Sequence, residues 1–292
     1  MIPQEIEDSL GSFFRLKSPE AENIVTTYSL SGGCINNVQR VDTNLRSYCI
    51  KYNSRTAFPK MFESEASGLK ALAAAKEIRV PAVIHVDSTE NYSYLLLEFI
   101  YQERRISGFM KDFGRSLARL HRHSAEYFGF SEDNYMGSLP QSNRHHSDWI
   151  SFFIEERIEK QFAIAVDGGY FAPEDRRYFE SIYREIPSMI PPEPPALLHG
   201  DLWGGNYMVS EEGKACLIDP AVYYGHREVD IAMTTLFGGF DPAFYAAYEE
   251  EYPLEYGWRD RLDILNLYPL LIHVNLFGSG YVGSVQNIIQ RF

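Results

Sequence analysis

Residues 199 to 206 read HGDLWGGN, and "LIDP" follows a short way on, so Asp201, Asn206 and Asp219 fall in one region of the chain. Carboxylate, amide and carboxylate form the set that magnesium-dependent phosphoryl transfer uses. One aspartate accepts or orients a hydroxyl proton, while the amide oxygen and the second carboxylate hold Mg²⁺ on nucleotide phosphates. Asp201 is the candidate base, and Asn206 and Asp219 are the candidate metal ligands. Between them, "YMVSEEGKACLI" reads as apolar strand, Glu-Glu-Gly turn, apolar strand, a hairpin that returns Asp219 to Asn206. A lone Asp-x4-Asn is more often a loop of solvated acids. The hairpin and the second aspartate turn the balance towards chemistry.

ATP, the implied cofactor beside Mg²⁺, needs a second half of the site. Gly32 and Gly33, in "SGGCINN", supply a hairpin tip that lets backbone amides approach phosphates, and Lys51 on the next strand can reach them. Lys51 requires an acidic partner. Glu65 lies on the apolar stripe of the following helix, where an unpaired acid is costly, and is the expected one; Glu63 and Asp42 compete. At the end of "LLLEFI", backbone groups of Glu98, Phe99 and Ile100 form a candidate adenine-reading hinge, with an ordinary strand end as the equal alternative. Glycine tip, lysine, helical glutamate, Asp-x4-Asn and Asp, in that order, match a kinase-like phosphotransferase.

The elements that must position these groups are legible in outline. Runs "TTYSL", "VQRVDT", "SYCIKYN", "PAVIHVD" and "SYLLLEFI" read as strands, and Phe62, Glu65, Ala66, Leu69, Leu72 and Ala73 recur at helical spacing. Residues 1–100 are expected to form an antiparallel sheet carrying one helix. From 101 to 292 helical periodicity dominates, over 109–122, 148–165, 173–185, 228–237, 241–251 and 258–277. The fold class expected is therefore α+β and bilobal, protein-kinase-like, with a small sheet lobe and a larger helical lobe.

Composition excludes several partners. The net charge of −13 repels phosphate backbones and anionic membranes, so neither nucleic acid nor membrane is expected. The most apolar segment, 264–278, carries Asn266, Pro269, His273 and Asn275, and reads as a buried helix rather than a bilayer span. The acidic start lacks the features of an export signal. Three cysteines, none in a CxxC pair, suit a reducing cytoplasm. A monomer or a homodimer is equally compatible with the sequence.

Taken together, HGDLWGGN, "LIDPAVYYGHREVDIAMTTLFGGF", "SGGCINN", "FESEASGLKAL", "FGF", "DWISFF" and "HVNLFGSGY" resemble the fructosamine kinase, or ketosamine-3-kinase, family, from about residue 24 to the C-terminus. That family is a branch of the aminoglycoside phosphotransferase and protein-kinase-like fold. The resemblance implies ATP-dependent phosphorylation of the 3-hydroxyl of ketosamines, the adducts of glucose or ribose with lysine, free or on a protein. The 3-phosphate then eliminates and frees the amine, a deglycation. By similarity Asp201 is the base, Asn206 and Asp219 the Mg²⁺ ligands, Lys51 the phosphate lysine and Glu65 its partner. Gly204 stands where many relatives carry serine, and Gly200 where protein kinases place arginine. Ten residues separate Asp219 from Asp230, and Asp-Phe-Gly and Ala-Pro-Glu are missing, which argues against a protein kinase with an activation segment. The alternatives are another small-molecule kinase, for an aminoglycoside or choline, and a nucleotide-binding protein without catalysis.

Supporting residues are read as follows. Asp230 is expected to N-cap a helix and hydrogen-bond the catalytic loop; His226, Arg227 and Glu228 to steady Asp219 or that loop; His199 to organise the loop rather than shuttle protons. Trp203 stacks on the sugar or packs in the core, and His273, first a core histidine, lines the same cleft with Asn275 as the second reading. Cys34, at the glycine tip, is a small turn residue or, less simply, a redox-sensitive thiol.

Overall fold

The computed structural model describes residues 1–17, 22–30 and 35–292. Gly32, Gly33 and Cys34 of the expected glycine tip therefore lie outside the described residues.

Strands β1 (Ile24–Ser29), β2 (Asn37–Thr43), β3 (Ser47–Ser54), β4 (Val83–Ser88) and β5 (Tyr92–Glu98) form one antiparallel sheet in the order β1-β2-β3-β5-β4. Side chains alternate between its two faces. On β3, Tyr48, Ile50 and Tyr52 join Tyr94 and Leu96 against helix α1 (Gln4–Lys17), which buries Ile6, Leu10 and Phe14. The opposite face presents Leu95 and Leu97 to helix α2 (Met61–Ala75). Lys51, odd-numbered between Ile50 and Tyr52, is sent to the α2 side by the same alternation. The sheet thus lies between two helices, where the sequence reading expected one. The four-residue spacing of Ile2, Ile6, Leu10 and Phe14 carries the missed signal, one apolar stripe along a helix.

Beyond β5 the chain is mostly helical. α3 (Phe109–Leu120) packs on α8 (Pro242–Glu251) so closely that a Cβ on Gly114 would stand 2.2 Å from the Phe244 carbonyl oxygen. The expected helix over 148–165 is continuous: α4 (Trp149–Phe152), a π turn (Phe153–Ile158) and α5 (Glu159–Asp167). α6 (Arg176–Met189) runs past its expected end and tolerates Pro187 in its last turn. α7 (Glu228–Met233) stops short of 237, and the chain beyond it turns through Phe237, Gly238 and Gly239, which all have positive φ. The span 258–277 breaks at Asn266 into α9 (Trp258–Leu265) and α10 (Leu267–Phe277). The hairpin of β6 (Asn134–Met136) with β7 (Leu139–Gln141) and helix α11 (Val282–Ile289) also escaped the sequence reading. Two further short pairs, β8 (Ala196–Leu198) with β11 (Tyr223–Gly225) and β9 (Tyr207–Val209) with β10 (Ala215–Leu217), frame the site. Among the described residues no helix is long and apolar enough to cross a membrane.

Candidate active site

The loop after β8 is shaped by backbone geometry. Gly200 has φ +84°, and a Cβ there would lie 2.0 Å from the Ala221 carbonyl oxygen, so only glycine fits. Asp230 holds this turn: its carboxylate accepts the backbone N–H of His199 at 2.8 Å and of Gly200 at 2.9 Å, with His121 Nε2 at 3.2 Å. Burial opposes its charge, but the His121 contact and the N–H donors outweigh it and hold Asp230 below the usual carboxylate range. The expected bond to the loop is present. The expected N-cap role is not, since α7 begins earlier and Arg227 occupies the cap, leaving Asp230 inside the first turn.

His199 organises the loop as expected. Its Nε2 donates to the Ile218 carbonyl at 2.9 Å and its Nδ1 accepts the Asp201 N–H at 3.3 Å, an arrangement that only the neutral ring can make. Burial lowers its pKa accordingly. Asn206 folds back on Asp201, donating through Nδ2 to the Asp201 backbone oxygen at 2.9 Å and to its carboxylate at 2.8 Å. Burial pushes the Asp201 carboxyl up to about 8; the Asn206 hydrogen bond lowers it, and the charges of Asp219 and Asp230 add to the rise.

β9 and β10 make the expected hairpin, and the Ile218 N–H donates to the Asn206 carbonyl at 3.1 Å. The chain then enters Asp219 with φ +55°, an uncommon conformation for a non-glycine residue. This turn aims its carboxylate at the sheet. Lys51 Nζ lies 2.5 Å from Glu65 Oε1 and 2.5 Å from Asp219 Oδ1, which joins the two halves of the site through one ammonium group. Burial alone would lower the Lys51 pKa, but Asp219 and Glu65 raise it, so the lysine stays charged. The competing partners are excluded: Asp42 pairs with Arg40 at 2.6 Å, and Glu63 points to solvent.

A cleft of about 220 Å³ opens between sheet and helices, and Lys51, Glu65, Asp201, Asn206 and Asp219 all line it. Trp203 and His273 line it too. Trp203 lines the cleft and also packs against Phe237, at 5.7 Å between centroids. A Cβ on Gly205 would stand 2.4 Å from the Trp203 ring, so this glycine lets the indole fold back over the loop. His273 donates through Nδ1 to Pro269 O at 2.6 Å and packs 4.8 Å from Phe237.

Comparison with known proteins places this geometry. The fructosamine kinase family model matches residues 11–292. The chain belongs to the fructosamine kinase family. A probable ketoamine kinase of Enterococcus faecium is 41% identical over 89% of this chain and 93% of its own length. The chloroplastic protein-ribulosamine 3-kinase of Arabidopsis thaliana is 37% identical over 95% of this chain and 85% of its own. Among solved structures, a putative fructosamine-3-kinase from Haemophilus somnus superposes with a TM-score of 0.88 at 29% identity, covering 99% of this chain and 96% of that one. An aminoglycoside phosphotransferase, solved with ADP and hygromycin B, shares the protein-kinase-like fold alone, at a TM-score of 0.63 and 12% identity.

Within this fructosamine kinase fold several expectations need correction. Asn275 is not in the cleft; its amide donates to the Gln161 backbone and side-chain oxygens, both at 2.9 Å, because two residues along α10 make about half a turn, which puts it on the side opposite His273. His226, Arg227 and Glu228 contact neither Asp219 nor the loop. His226 binds the Pro191 carbonyl, Arg227 forks onto Glu193, and Glu228 pairs with Arg261 at 2.5 Å, fastening the segments around 191–193 and 252–261. Glu98 ends β5 and Phe99 and Ile100 follow it directly; they do not line this cleft, and their adenine-reading role stands as a proposal. Glu98 pairs with Arg79 at 2.7 Å and its N–H donates to Ala82 O, while Arg40 covers the Phe99 ring. Conversely, the sequence reading missed Asn134, Tyr135, Met136 and Gly137, which all line the cleft. Their signal, "NYMGSLPQ" with a central Gly-Ser turn, is too short to be told from a loop.

Proposed function

We propose that this chain is an ATP- and magnesium-dependent ketosamine 3-kinase. Its acceptors are ribulose- or fructose-derived adducts of lysine, as free small molecules or on proteins. The observation that carries the reading is the shared ammonium: Lys51 pairs with both Glu65 and Asp219, in the cleft that also contains Asp201 and Asn206. The 3-hydroxyl oxygen attacks the γ-phosphorus, the bond to the β-phosphate oxygen breaks, ADP leaves, and Asp201 takes the hydroxyl proton. Asn206 holds Asp201 in place by its amide. The 3-phosphate then leaves by elimination as inorganic phosphate, and water hydrolyses the resulting imine to a sugar dicarbonyl and the free amine.

The donor set suits magnesium. Asn206 spends Nδ2 on Asp201, which leaves Oδ1 as an acceptor, and Asp219 spends Oδ1 on Lys51, which leaves Oδ2. Hard oxygen donors of this kind are what Mg²⁺ requires, and the ion supplies charge neutralisation on the β- and γ-phosphates. Lys51, fixed by Glu65, meets the phosphates, and backbone groups of Glu98 to Ile100 read the adenine. We place the lobe boundary after Ile100, giving a nucleotide lobe of 1–100 and a catalytic lobe of 101–292. Trp203 and His273 take the sugar. The unpaired thiols of Cys49 and Cys216 suit a reducing compartment such as the cytoplasm.

Ribulosyl-lysine and fructosyl-lysine offered with MgATP, followed by phosphorus NMR, test this reading. A new sugar 3-phosphate resonance is expected. ATP left intact with both, alongside phosphorylation of choline or an aminoglycoside, would transfer the chain to the alternative class.

A further inference from the structure

The ion pair on Lys51 depends on where α2 stands, and α2 is gripped from outside its own lobe. Tyr135, on β6, donates its hydroxyl to the Pro59 carbonyl at 3.0 Å and meets the Phe58 ring edge-on at 6.5 Å, immediately before α2 begins. The same hairpin grips the segment that follows Asp219. Asn134 Nδ2 donates to the Val222 carbonyl at 2.9 Å and Gln141 Nε2 to the Ala221 carbonyl at 3.1 Å. These two amides are buried and locked to each other, since Gln141 Nε2 also donates to Asn134 Oδ1 at 2.8 Å. Behind them, the Tyr268 hydroxyl donates to Gln141 Oε1 at 2.7 Å. A fully connected buried network of this kind has one low-energy arrangement.

α2 and the gripped segment also touch directly, because a Cβ on Gly68 would stand 2.9 Å from Val222 Cγ2. Thus one hairpin fastens the helix that bears Glu65 and the segment that follows Asp219, the two acids that meet on Lys51. In a chain with only ten residues between Asp219 and Asp230, no longer segment is present to do this.

We propose that the 134–141 hairpin is a fixed clamp, and that Tyr135 is a positioning residue that holds Glu65 on Lys51, so the nucleotide site is assembled without an activation step. The inference rests on the nucleotide-binding reading above. Its test uses the full chain and a non-hydrolysable magnesium–ATP analogue, with affinity measured by calorimetry. Tyr135→Phe keeps the ring and loses only the bond to Pro59, and is expected to weaken binding about 3- to 10-fold, as for one hydrogen bond. It should raise KM for MgATP and leave KM for the ketosamine unchanged. In a Glu65→Gln background the same substitution should change affinity by less than about 2-fold, because the residue acts through Glu65. Tyr135→Ala, which also removes the Phe58 contact, should exceed Tyr135→Phe. Unchanged affinity in both Tyr135 variants, or an equal loss with and without Glu65, overturns the clamp. A wild-type chain that binds no MgATP analogue overturns both the clamp and the reading beneath it.

Discussion

The Asn206 side-chain amide donates to the Asp201 carboxylate at 2.8 Å. That bond fixes the amide's orientation and points its oxygen away from the acid, so in the proposed reaction a single residue would both steady the base and present an oxygen to the metal. Asp201→Asn should lower kcat by about 10³-fold and leave MgATP-analogue affinity near wild type, since the base acts on the hydroxyl proton. Asn206→Asp should lower kcat by about 10²-fold, because two carboxylates then face each other with no donor between them. Turnover assays with calorimetric binding separate the two effects, and full activity in Asp201→Asn would remove Asp201 from the chemistry.

Lys51 sits against an almost wholly buried Glu65 and a half-exposed Asp219. Lys51→Met leaves the Glu65 carboxylate without its counter-charge, at an expected cost of about 3 kcal/mol in urea unfolding at neutral pH. Adding Glu65→Gln should restore much of that stability while nucleotide affinity stays low. Equal stability of Lys51→Met and wild type would show that solvent, rather than the lysine, satisfies Glu65.

Two glycines of the catalytic loop should respond in opposite ways. Gly200→Ala forces a Cβ to 2.0 Å from the Ala221 carbonyl in a left-handed conformation and should abolish soluble, active protein. At Gly204, nothing lies within 4 Å of an added Cβ, so Gly204→Ser should stay within about 2-fold of wild-type kcat/KM. Expression yield and steady-state kinetics check both.

Asp230 accepts two backbone N–H groups with two separate oxygens. Asp230→Asn retains only one acceptor oxygen, and the orphaned loop donor should cost about 1–3 kcal/mol. The loop then loses its fixed turn, and kcat should fall together with stability. A variant with normal thermal unfolding and normal kcat would assign the loop geometry to Gly200 alone.

Burial keeps His226 neutral, its pKa lowered despite the nearby charge of Glu193. Nε2 donates to Pro191 O at 3.1 Å and Nδ1 accepts the Glu228 N–H at 3.3 Å, so an added proton would face a donor. The folded-state pKa lies below the unfolded value of about 6.5, so this stability is fully present above about pH 6.5 and is lost as pH falls toward the lowered folded-state pKa. Between about pH 7.5 and 5.5 the wild-type Tm should therefore drop more than that of His226→Gln. Parallel pH profiles would show that His226 takes no part.

Much of this site could be read in one dimension because its parts are local. The turn between β9 and β10 brings Asp219 back to Asn206 within a single hairpin, and strand alternation alone sends Lys51 to the α2 face. Glu65 was distinguishable because an acid on an apolar stripe demands a partner. α1 is also legible, through the four-residue apolar spacing of Ile6, Leu10 and Phe14.

What the sequence by itself determined is which polar residues meet in the cleft, the order of sheet lobe and helical lobe, and the family. What only the tertiary structure decided is which distant groups share a hydrogen bond: Asp42 is claimed by Arg40, Glu228 by Arg261, Asn275 by Gln161, and Pro59 by Tyr135. Periodicity reports which face of an element is apolar. A buried polar side chain instead takes whichever partner the packed chain brings within about 3 Å, and that choice exists only once all the layers are assembled.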